Sequence, residues 1–269
     1  MEASGAKVAL VTGASRGLGR GIAIALGAAG WTVWVTGRSS RASGPTSHLP
    51  GTVEDTADAV TAAGGRGIPA ICDHRDDDQV RAVVARVQAE SGVLRLLVNN
   101  AWGGYERLNA GEWEEWNAPF WEQPLELWDA MFDGGVRAHY VTTVFCAPLL
   151  RAAPGGLVVT VSMAAGSAHD ARYGVAYSMA KAADDRLALA VSMALAGDGV
   201  ASVALYPGLV RTEGVMQFAE YLDLTGSQSP EGVGAVVAAL AGDHGAMSLT
   251  GRALTVTDLA RRYGIDLGR

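Results

Sequence analysis

Cysteine and lysine are both scarce in this chain of 269 residues, which contains two of each. Cys72 and Cys146 do not make a disulfide framework, and the lack of a C-x-x-C or Cys/His cluster argues against a bound metal. The longest apolar stretch, Leu187 to Gly197, is shorter than the roughly 18 residues that span a bilayer. The segment Met1 to Lys7 shows no hydrophobic signal sequence. These absences predict a soluble, cytoplasmic protein without a membrane or metal partner.

Runs of basic residues are absent as well. The chain has 21 basic and 28 acidic side chains, a net charge of −7 and an isoelectric point near 5.2. Proteins that bind nucleic acid usually present a basic face, so a nucleic-acid partner is excluded. Of the 21 basic residues 19 are arginine, which leaves Lys7 and Lys181 as the lysines. A lysine retained in the middle of such a chain is a candidate for a role that arginine does not fill.

Hydrophobic residues make up 49% of the chain, which suits one large domain and excludes a mainly disordered one. Short β-branched runs alternate with segments of helical periodicity, which predicts βαβ units and a parallel sheet in a single α/β domain over residues 1–269. The predicted strands are Val8–Thr12, Trp31–Thr36, Gly67–Cys72, Leu94–Asn99, Leu157–Ser162, Val200–Tyr206 and Arg252–Val256. The predicted helices are Gly17–Ala29, Val53–Ala63, Asp77–Glu90, Leu127–Leu150, Ala176–Ala196 and Pro230–Ala241.

The segment Trp102–Trp128, an insertion after the fourth strand, breaks this alternation. It holds five of the seven tryptophans. Insertions behind the carboxyl end of a strand lie near the ligand crevice of such folds, and aromatic side chains are typical of pocket linings. The segment therefore either contacts a substrate or forms a packed surface cap or a subunit contact.

A glycine-rich turn joins the first strand to the first helix. Glycines at this junction allow a tight turn and let backbone N–H groups approach a pyrophosphate at the positive end of a helix. The spacing G-x-x-x-G-x-G is not the common dinucleotide fingerprint, but its place between strand and helix favours nucleotide binding over a purely structural turn. The candidate cofactor-binding residues of this turn are Gly13, Ser15, Arg16, Gly17, Leu18 and Gly19.

The end of the second strand carries an arginine where a carboxylate is expected for NAD. An Asp or Glu near this point holds the ribose of a cofactor without a 2′-phosphate. Here Arg38 follows the strand, and Arg16 lies in the glycine turn. Two guanidinium groups suit a phosphate, so the pattern favours NADP(H) over NAD(H). The alternative is that both arginines are solvated surface residues.

Tyr177 and Lys181 share a face of a predicted helix because they are four residues apart. A phenol with a pKa near 10 is a poor acid–base catalyst at neutral pH, but a nearby ammonium draws that pKa down. Such a pair can exchange a proton with an alcohol or carbonyl oxygen. Tyr173 is not the partner of a lysine, since its i+4 neighbour is Tyr177.

Taken in order, the motifs resemble those of the short-chain dehydrogenases/reductases over nearly the whole chain. They are Thr12–Gly19, Cys72-Asp73, Asn99-Asn100-Ala101, Tyr177-x-x-x-Lys181 and Pro207-Gly208 with Thr212. The resemblance implies a Rossmann-type, doubly wound α/β fold and an NAD(P)(H)-dependent oxidoreductase without a metal. Within the family, the segments Phe120–Pro124, Trp128-Asp129 and Gly135–Tyr140 resemble the branch of the mammalian dehydrogenase/reductase member 1.

The resemblance also implies roles for single residues. Asp73 would lie beside the adenine, Asn99 would brace the cofactor-bearing strand, and Thr212 would hold the nicotinamide carboxamide. Lys181 would bind the ribose hydroxyls as well as tune Tyr177. The remaining candidate cofactor contacts in these motifs are Ala101, Pro207 and Gly208.

Two positions depart from the family pattern. The family places a serine at the end of the fifth strand, but Met163 falls in that register and Ser162 comes one residue earlier. Neighbouring strand residues face opposite ways, so Ser162 binds the substrate oxygen only if the strand end is re-aimed; otherwise it is bonded to backbone. Ser167 is a weaker substitute. The family's helix asparagine is replaced by Gly135, and His139, one turn later, is expected to be a helix-surface residue rather than a substitute.

Two functions follow from these patterns. The first is an NADP(H)-dependent oxidoreductase that interconverts a carbonyl and a secondary alcohol, with Tyr177, Lys181 and Ser162 as catalytic residues. The second is a cofactor-binding sensor or scaffold with little turnover. We expect residues 213–228 to form a substrate lid. A homo-oligomer is expected because the helix that carries Tyr177 is apolar beyond its active face, at Ala180, Ala183, Leu187, Leu189, Ala190 and Met193.

Overall fold

Seven strands form one parallel sheet in the computed structural model, which describes residues 6–164 and 174–268. The strands are β1 (Val8–Val11), β2 (Thr32–Gly37), β3 (Arg66–Ile71), β4 (Leu96–Asn99), β5 (Leu157–Val161), β6 (Ala201–Tyr206) and β7 (Ala253–Thr255). Their order across the sheet is β3-β2-β1-β4-β5-β6-β7, with every pair parallel. The chain changes direction across the sheet between β1 and β4, so a ligand crevice is expected at the carboxyl ends of these two strands.

Helices cover both faces of the sheet. In the described ranges they are α1 (Gly17–Ala28), α2 (Val53–Ala62), α3 (Asp77–Ser91), α4 (Glu106–Asn109), α5 (Trp113–Asn117), α6 (Leu125–Met131), α7 (Ala138–Arg151), α8 (Val175–Leu195), α9 (Glu213–Met216), α10 (Pro230–Gly242) and α11 (Val256–Tyr263). No helix in these ranges combines the length and the hydropathy that crossing a membrane requires.

Two apolar cores lie on opposite sides of the sheet. Ala9 and Val11 of β1 pack with α1, α2, α10 and α11, whereas Val8 and Leu10 pack with α3 and α7. Successive residues of a strand point to opposite faces, so a strand covered on both sides is apolar throughout, as β1 is. The predicted doubly wound α/β fold is confirmed.

The periodicity predicts one helix over Leu127–Leu150, and the structure interrupts it. A π-helical turn, Phe132–Arg137, separates α6 from α7. A Cβ on Gly134 would lie 3.1 Å from the Cα of Gly103, and one on Gly135 would lie 2.6 Å from the ring of Trp102. The close approach of the Trp-rich insertion therefore requires glycine at this turn.

Candidate active site

The glycine turn lies at the carboxyl ends of β1 and β4, where the crevice was expected. Gly13 has φ +63°, and a Cβ there would lie 2.8 Å from the Cα of Ala101. The hydroxyl of Thr12 accepts hydrogen bonds from the N–H groups of Asn100 and Ala101, at 2.8 and 2.9 Å. These contacts fix the ends of the two strands against each other.

The start of α1 already binds an anionic group. The N–H of Gly17, a residue with φ +57°, donates to a carboxylate oxygen of Glu213 at 2.9 Å. Thr212, beside Glu213, also lies close to the turn: a Cβ on Gly17 would be 3.5 Å from its side chain. Thr212 is the N-terminal cap of α9, and its hydroxyl accepts a hydrogen bond from the N–H of Val215. A backbone cradle that holds a carboxylate at a helix N-terminus has the donors that a pyrophosphate needs, so this turn fits a dinucleotide.

Arg38 follows β2, Arg16 of the glycine turn reaches Ser39 beside it, and both arginines have protein partners. Arg38 forms a 2.5 Å ion pair with Glu106, and Arg16 donates to the hydroxyls of Ser39 and Ser47 at 2.7 and 2.9 Å. Burial and, to a smaller extent, Arg38 lower the pKa of Arg16, against an opposing effect of Glu213. The sequence did not indicate Glu106, which reaches Arg38 from the insertion.

The remaining cofactor candidates lie along the same edge of the sheet. Asp73 forms a 2.8 Å ion pair with Arg75. Burial would raise the pKa of Asp73, but the hydrogen bonds and charge of Arg75 outweigh it and lower that pKa. Asn99 donates to Thr143 of α7 at 2.9 Å and so braces β4. Pro207 and Gly208, which has φ +75°, lead from β6 toward Thr212.

Tyr177 is buried in the first turn of α8 and is surrounded by aromatic residues of the insertion. The Tyr105 hydroxyl donates to the Tyr177 hydroxyl at 3.0 Å, and the Tyr177 hydroxyl donates to the sulfur of Met163 at 3.2 Å. The rings of Trp102 and Trp116 lie 5.7 and 6.1 Å from the Tyr177 ring, both nearly perpendicular to it. The insertion therefore lines the candidate site, which the sequence had left open.

The structure places the Ser162 hydroxyl against the backbone, which is the alternative that the sequence left open for this residue. Its hydroxyl donates to the main-chain carbonyl of Lys181 at 3.1 Å, while Met163 is the strand-end residue that reaches the Tyr177 hydroxyl. The strand end keeps its alternation, so the residue in register faces the site and its neighbour faces away. The role of Ser162 as the ligand of the substrate oxygen stays a prediction. Ser167 and Tyr173 lie outside the described residues.

Lys181 lies in a buried network of charged groups. Its ammonium is 3.1 Å from one carboxylate oxygen of Asp184 and 3.6 Å from the centre of a Trp102 ring. The other oxygen of Asp184 is 2.8 Å from Nδ1 of His139. Burial would raise the pKa of Asp184, but the charges and hydrogen bonds of His139 and Lys181 lower it further than burial raises it.

The prediction that His139 lies on a helix surface is wrong. The residue is 1% exposed, and its Nε2 lies 2.8 Å from the carbonyl oxygen of Ala101. His139 lies four residues after the buried Gly135 and eight after the buried Met131, so it shares their buried helix face. The sequence contained one usable signal, since Asp184 follows Lys181 by about one helical turn and so shares its helix face.

A cavity of about 300 Å³ opens beside Tyr177. Its lining is mixed: Trp116, Phe120, Leu127 and Met131 supply apolar surface, and Asn117 and Gln123 supply polar groups. Trp113 of the insertion packs edge-on against Phe218, with ring centres 4.1 Å apart. This contact connects the insertion to the segment after β6. No cluster of His, Cys, Asp or Glu within the described ranges has the arrangement of a metal site.

Comparison with known proteins gives consistent results. A sequence model described as short chain dehydrogenase matches residues 7–222. The mouse and human proteins named dehydrogenase/reductase SDR family member 1 are 39% and 37% identical to this chain, over 96% of it and 82% of each relative.

Solved structures show the same similarity. A short chain dehydrogenase from Mycobacterium thermoresistibile superimposes with a TM-score of 0.81 and 28% identity, over 96% of this chain and 87% of that one. A 3-oxoacyl-[acyl-carrier protein] reductase from Brucella melitensis in complex with NAD gives 0.78 and 26%, over 93% and 95%. The chain therefore belongs to the short-chain dehydrogenase/reductase family of oxidoreductases and resembles dehydrogenase/reductase SDR family member 1.

Proposed function

We propose that this protein is an NADP(H)-dependent oxidoreductase that interconverts a carbonyl and a secondary alcohol, with Tyr177 as the acid/base. The observation that carries the proposal is the position of Tyr177, which lines a cavity of about 300 Å³ and has the Lys181 ammonium 6.0 Å from the centre of its ring. The glycine turn, with its bound carboxylate, lies at the same edge of the sheet. Together they supply a proton donor, a cation and a nucleotide cradle.

A bound nicotinamide would supply or accept the hydride, held by the glycine turn, Asn99, Ala101, Lys181, the Pro207-Gly208 segment and Thr212. In the direction of reduction, Tyr177 donates its hydroxyl proton to the substrate oxygen, and the positive charge of Lys181 stabilises the phenolate that remains. In the direction of oxidation, the phenolate accepts the proton from the alcohol. Neither direction requires a metal.

Tyr105 takes the role that the sequence predicted for Ser162. A substrate oxygen that accepts from Tyr177 occupies the region where the Tyr105 hydroxyl now donates to Tyr177, so Tyr105 is placed to donate a second hydrogen bond to it. A second donor aimed at an oxygen that gains negative charge lowers the barrier of the reaction. The aromatic rings in the cavity lining favour an aromatic ketone or aldehyde as the substrate.

The experiment that tests the function is a turnover assay. Purified protein is mixed with NADPH and a panel of aromatic and aliphatic ketones, aldehydes and quinones, and the loss of NADPH absorbance is followed. We expect NADPH oxidation with aromatic members of the panel. Tight NADPH binding without oxidation by any member, unchanged in the Tyr177→Phe variant, would instead support a cofactor-binding sensor or scaffold.

The preference for NADP(H) is tested by Arg38→Ala. We expect the dissociation constant for NADPH to rise about tenfold to a hundredfold, because a charge-assisted contact to the 2′-phosphate is lost, and that for NADH to change little. Fluorescence titration measures both constants. Arg41→Ala is the matched control, since Arg41 is exposed and paired with Asp55 and Asp58. A preference for NADH that survives in the Arg38 variant would contradict the assignment.

We also propose that the protein forms a homo-oligomer through α7 and α8. Both helices expose apolar side chains, with Tyr140 and Met193 58% and 69% accessible. Val144 and Met179 lie on the same two helices and are each nearly half exposed. Burial of this face in a second copy would remove that surface from water. Sedimentation equilibrium at micromolar concentration is expected to show a dimer or tetramer, and a monomer would contradict the proposal.

A further inference from the structure

The buried pair of His139 and Asp184 lies directly behind the lysine that the proposed mechanism uses. Asp184 is fully buried and shares its two oxygens between His139 and Lys181. His139 comes from α7 and the other two residues from α8, so the network joins the two helices. The carbonyl of Ala101, at the end of β4, closes the network at the far side of the imidazole.

Hydrogen bonding determines how many protons the pair holds. Nε2 of His139 faces a carbonyl oxygen, which only accepts, so Nε2 carries a proton. Nδ1 faces a carboxylate oxygen at 2.8 Å, so a second proton lies between these two atoms. Whichever atom holds that proton, the His139–Asp184 pair has no net charge, and the ammonium of Lys181 keeps one full positive charge.

Without His139 the charge balance differs. A carboxylate 3.1 Å from the ammonium would cancel most of its field at Tyr177, because the two charges would act together as a dipole. Lys181 is nine-tenths buried, and the Trp102 ring lies against it, so little water screens this effect. Trp102 also fills the space at Gly135 where the family has an asparagine.

We propose that His139 is a positioning residue: it neutralises Asp184, so that Asp184 can anchor the ammonium of Lys181 without cancelling its charge at Tyr177. This inference rests on the proposed function, in which Tyr177 is the acid/base. Among the described residues, two further titratable groups interact with the network: Asp185 on α8, which accepts a hydrogen bond from Tyr206 at 2.6 Å, and His74, which follows β3.

His74 provides a matched control. It is buried like His139, and its ring nitrogens lie 2.7 and 3.1 Å from the hydroxyls of Thr36 and Thr142. Burial, with a smaller effect of His139, lowers the pKa of His74 to about 4, so the ring is neutral at pH 7. Glutamine at this position replaces one neutral polar group by another, whereas His139→Gln removes a proton from the network.

The test follows the ionisation of Tyr177 in the free protein. The ultraviolet difference spectrum between each protein and its own Tyr177→Phe version is recorded against pH. We expect the titration midpoint of Tyr177 to rise by about one pH unit in His139→Gln, as for the loss of one nearby charge, and to stay in place in His74→Gln. Once a substrate is identified, we expect the rise of kcat with pH in the direction of alcohol oxidation to shift by the same amount.

A second variant separates charge from packing. If His139 acts by neutralising Asp184, then His139→Gln has little effect on the Tyr177 midpoint in an Asp184→Asn background. Equal shifts in both backgrounds, an equal shift in His74→Gln, or an unmoved midpoint in His139→Gln would each overturn the proposal. The titration uses neither substrate nor cofactor, so a failure of the proposed carbonyl reduction is a separate result.

Discussion

Replacing Tyr177 by phenylalanine is expected to lower kcat by about a thousandfold, the scale of a lost general acid/base. The ring keeps its packing against Trp102 and Trp116, because those contacts are aromatic and do not involve the hydroxyl. The variant loses hydrogen bonds to Tyr105 and Met163, at a cost of about 1 kcal/mol in the free energy of unfolding. NADPH oxidation measures the activity, and fluorescence titration should show unchanged NADPH binding.

Tyr105→Phe is the control for this variant, because it removes the neighbouring hydroxyl and leaves the acid/base in place. We expect it to lower kcat by about tenfold, toward the lower end of what one hydrogen-bond donor to a developing oxyanion contributes. Equal losses in the two variants would mean that the hydroxyls act as one unit. A Tyr177→Phe variant that keeps more than a tenth of the activity would exclude Tyr177 as the acid/base.

The features that the sequence predicted are those set by local patterns. A strand covered on both faces is an uninterrupted apolar run, and β1 and β2 lie within two residues of their predicted bounds. The glycine turn was predictable because Gly13 and Gly17 have positive φ angles. Few residues other than glycine adopt such angles, so the turn is visible in the sequence as closely spaced glycines. The spacing of Tyr177 and Lys181 was informative because a helix brings residues four apart onto one face.

The features that the sequence missed are contacts between distant segments. Tyr105 and Glu106 belong to an insertion without regular periodicity, so no pattern indicated that one would reach Tyr177 and the other Arg38. Glu213 meets Gly17 across 196 positions of the chain. The bounds of α6 and α7 were missed because they depend on how the insertion packs at Gly134 and Gly135.

Ser162 shows a different limit. The rule that neighbouring strand residues face opposite ways favours Met163 as the residue that faces the site, and the structure follows that rule. Ser162 would face the site only if the strand end departed from this alternation, and no residue near the strand end indicates such a departure. In the proposed mechanism Tyr105, a residue 72 positions before Tyr177, supplies the hydroxyl at this point.

Lys181→Met is expected to remove nearly all turnover, by about a thousandfold in kcat, and to destabilise the protein. Methionine fills a similar volume beside Trp102 but leaves the Asp184 carboxylate with His139 as its charged partner. Because His139 still neutralises Asp184, the cost is that of one lost charge-assisted hydrogen bond, about 2 kcal/mol in the free energy of unfolding. Loss of the ammonium also removes the charge that stabilises the Tyr177 phenolate, so its titration midpoint should rise. Urea unfolding and the Tyr177 difference spectrum measure the two effects separately.

Lys181→Arg keeps the positive charge. It therefore tests whether this chain, which has 19 arginines, needs a lysine at this position for a reason other than charge. The side chain is 7% exposed and enclosed by Asp184, Trp102 and the Val161 carbonyl, which lies 3.4 Å from the ammonium. A planar guanidinium is wider than an ammonium and cannot be held at the same point, so we expect turnover to stay at least a hundredfold below that of the original protein. Turnover within tenfold of the original would mean that charge alone suffices. The scarcity of lysine would then be unrelated to the site.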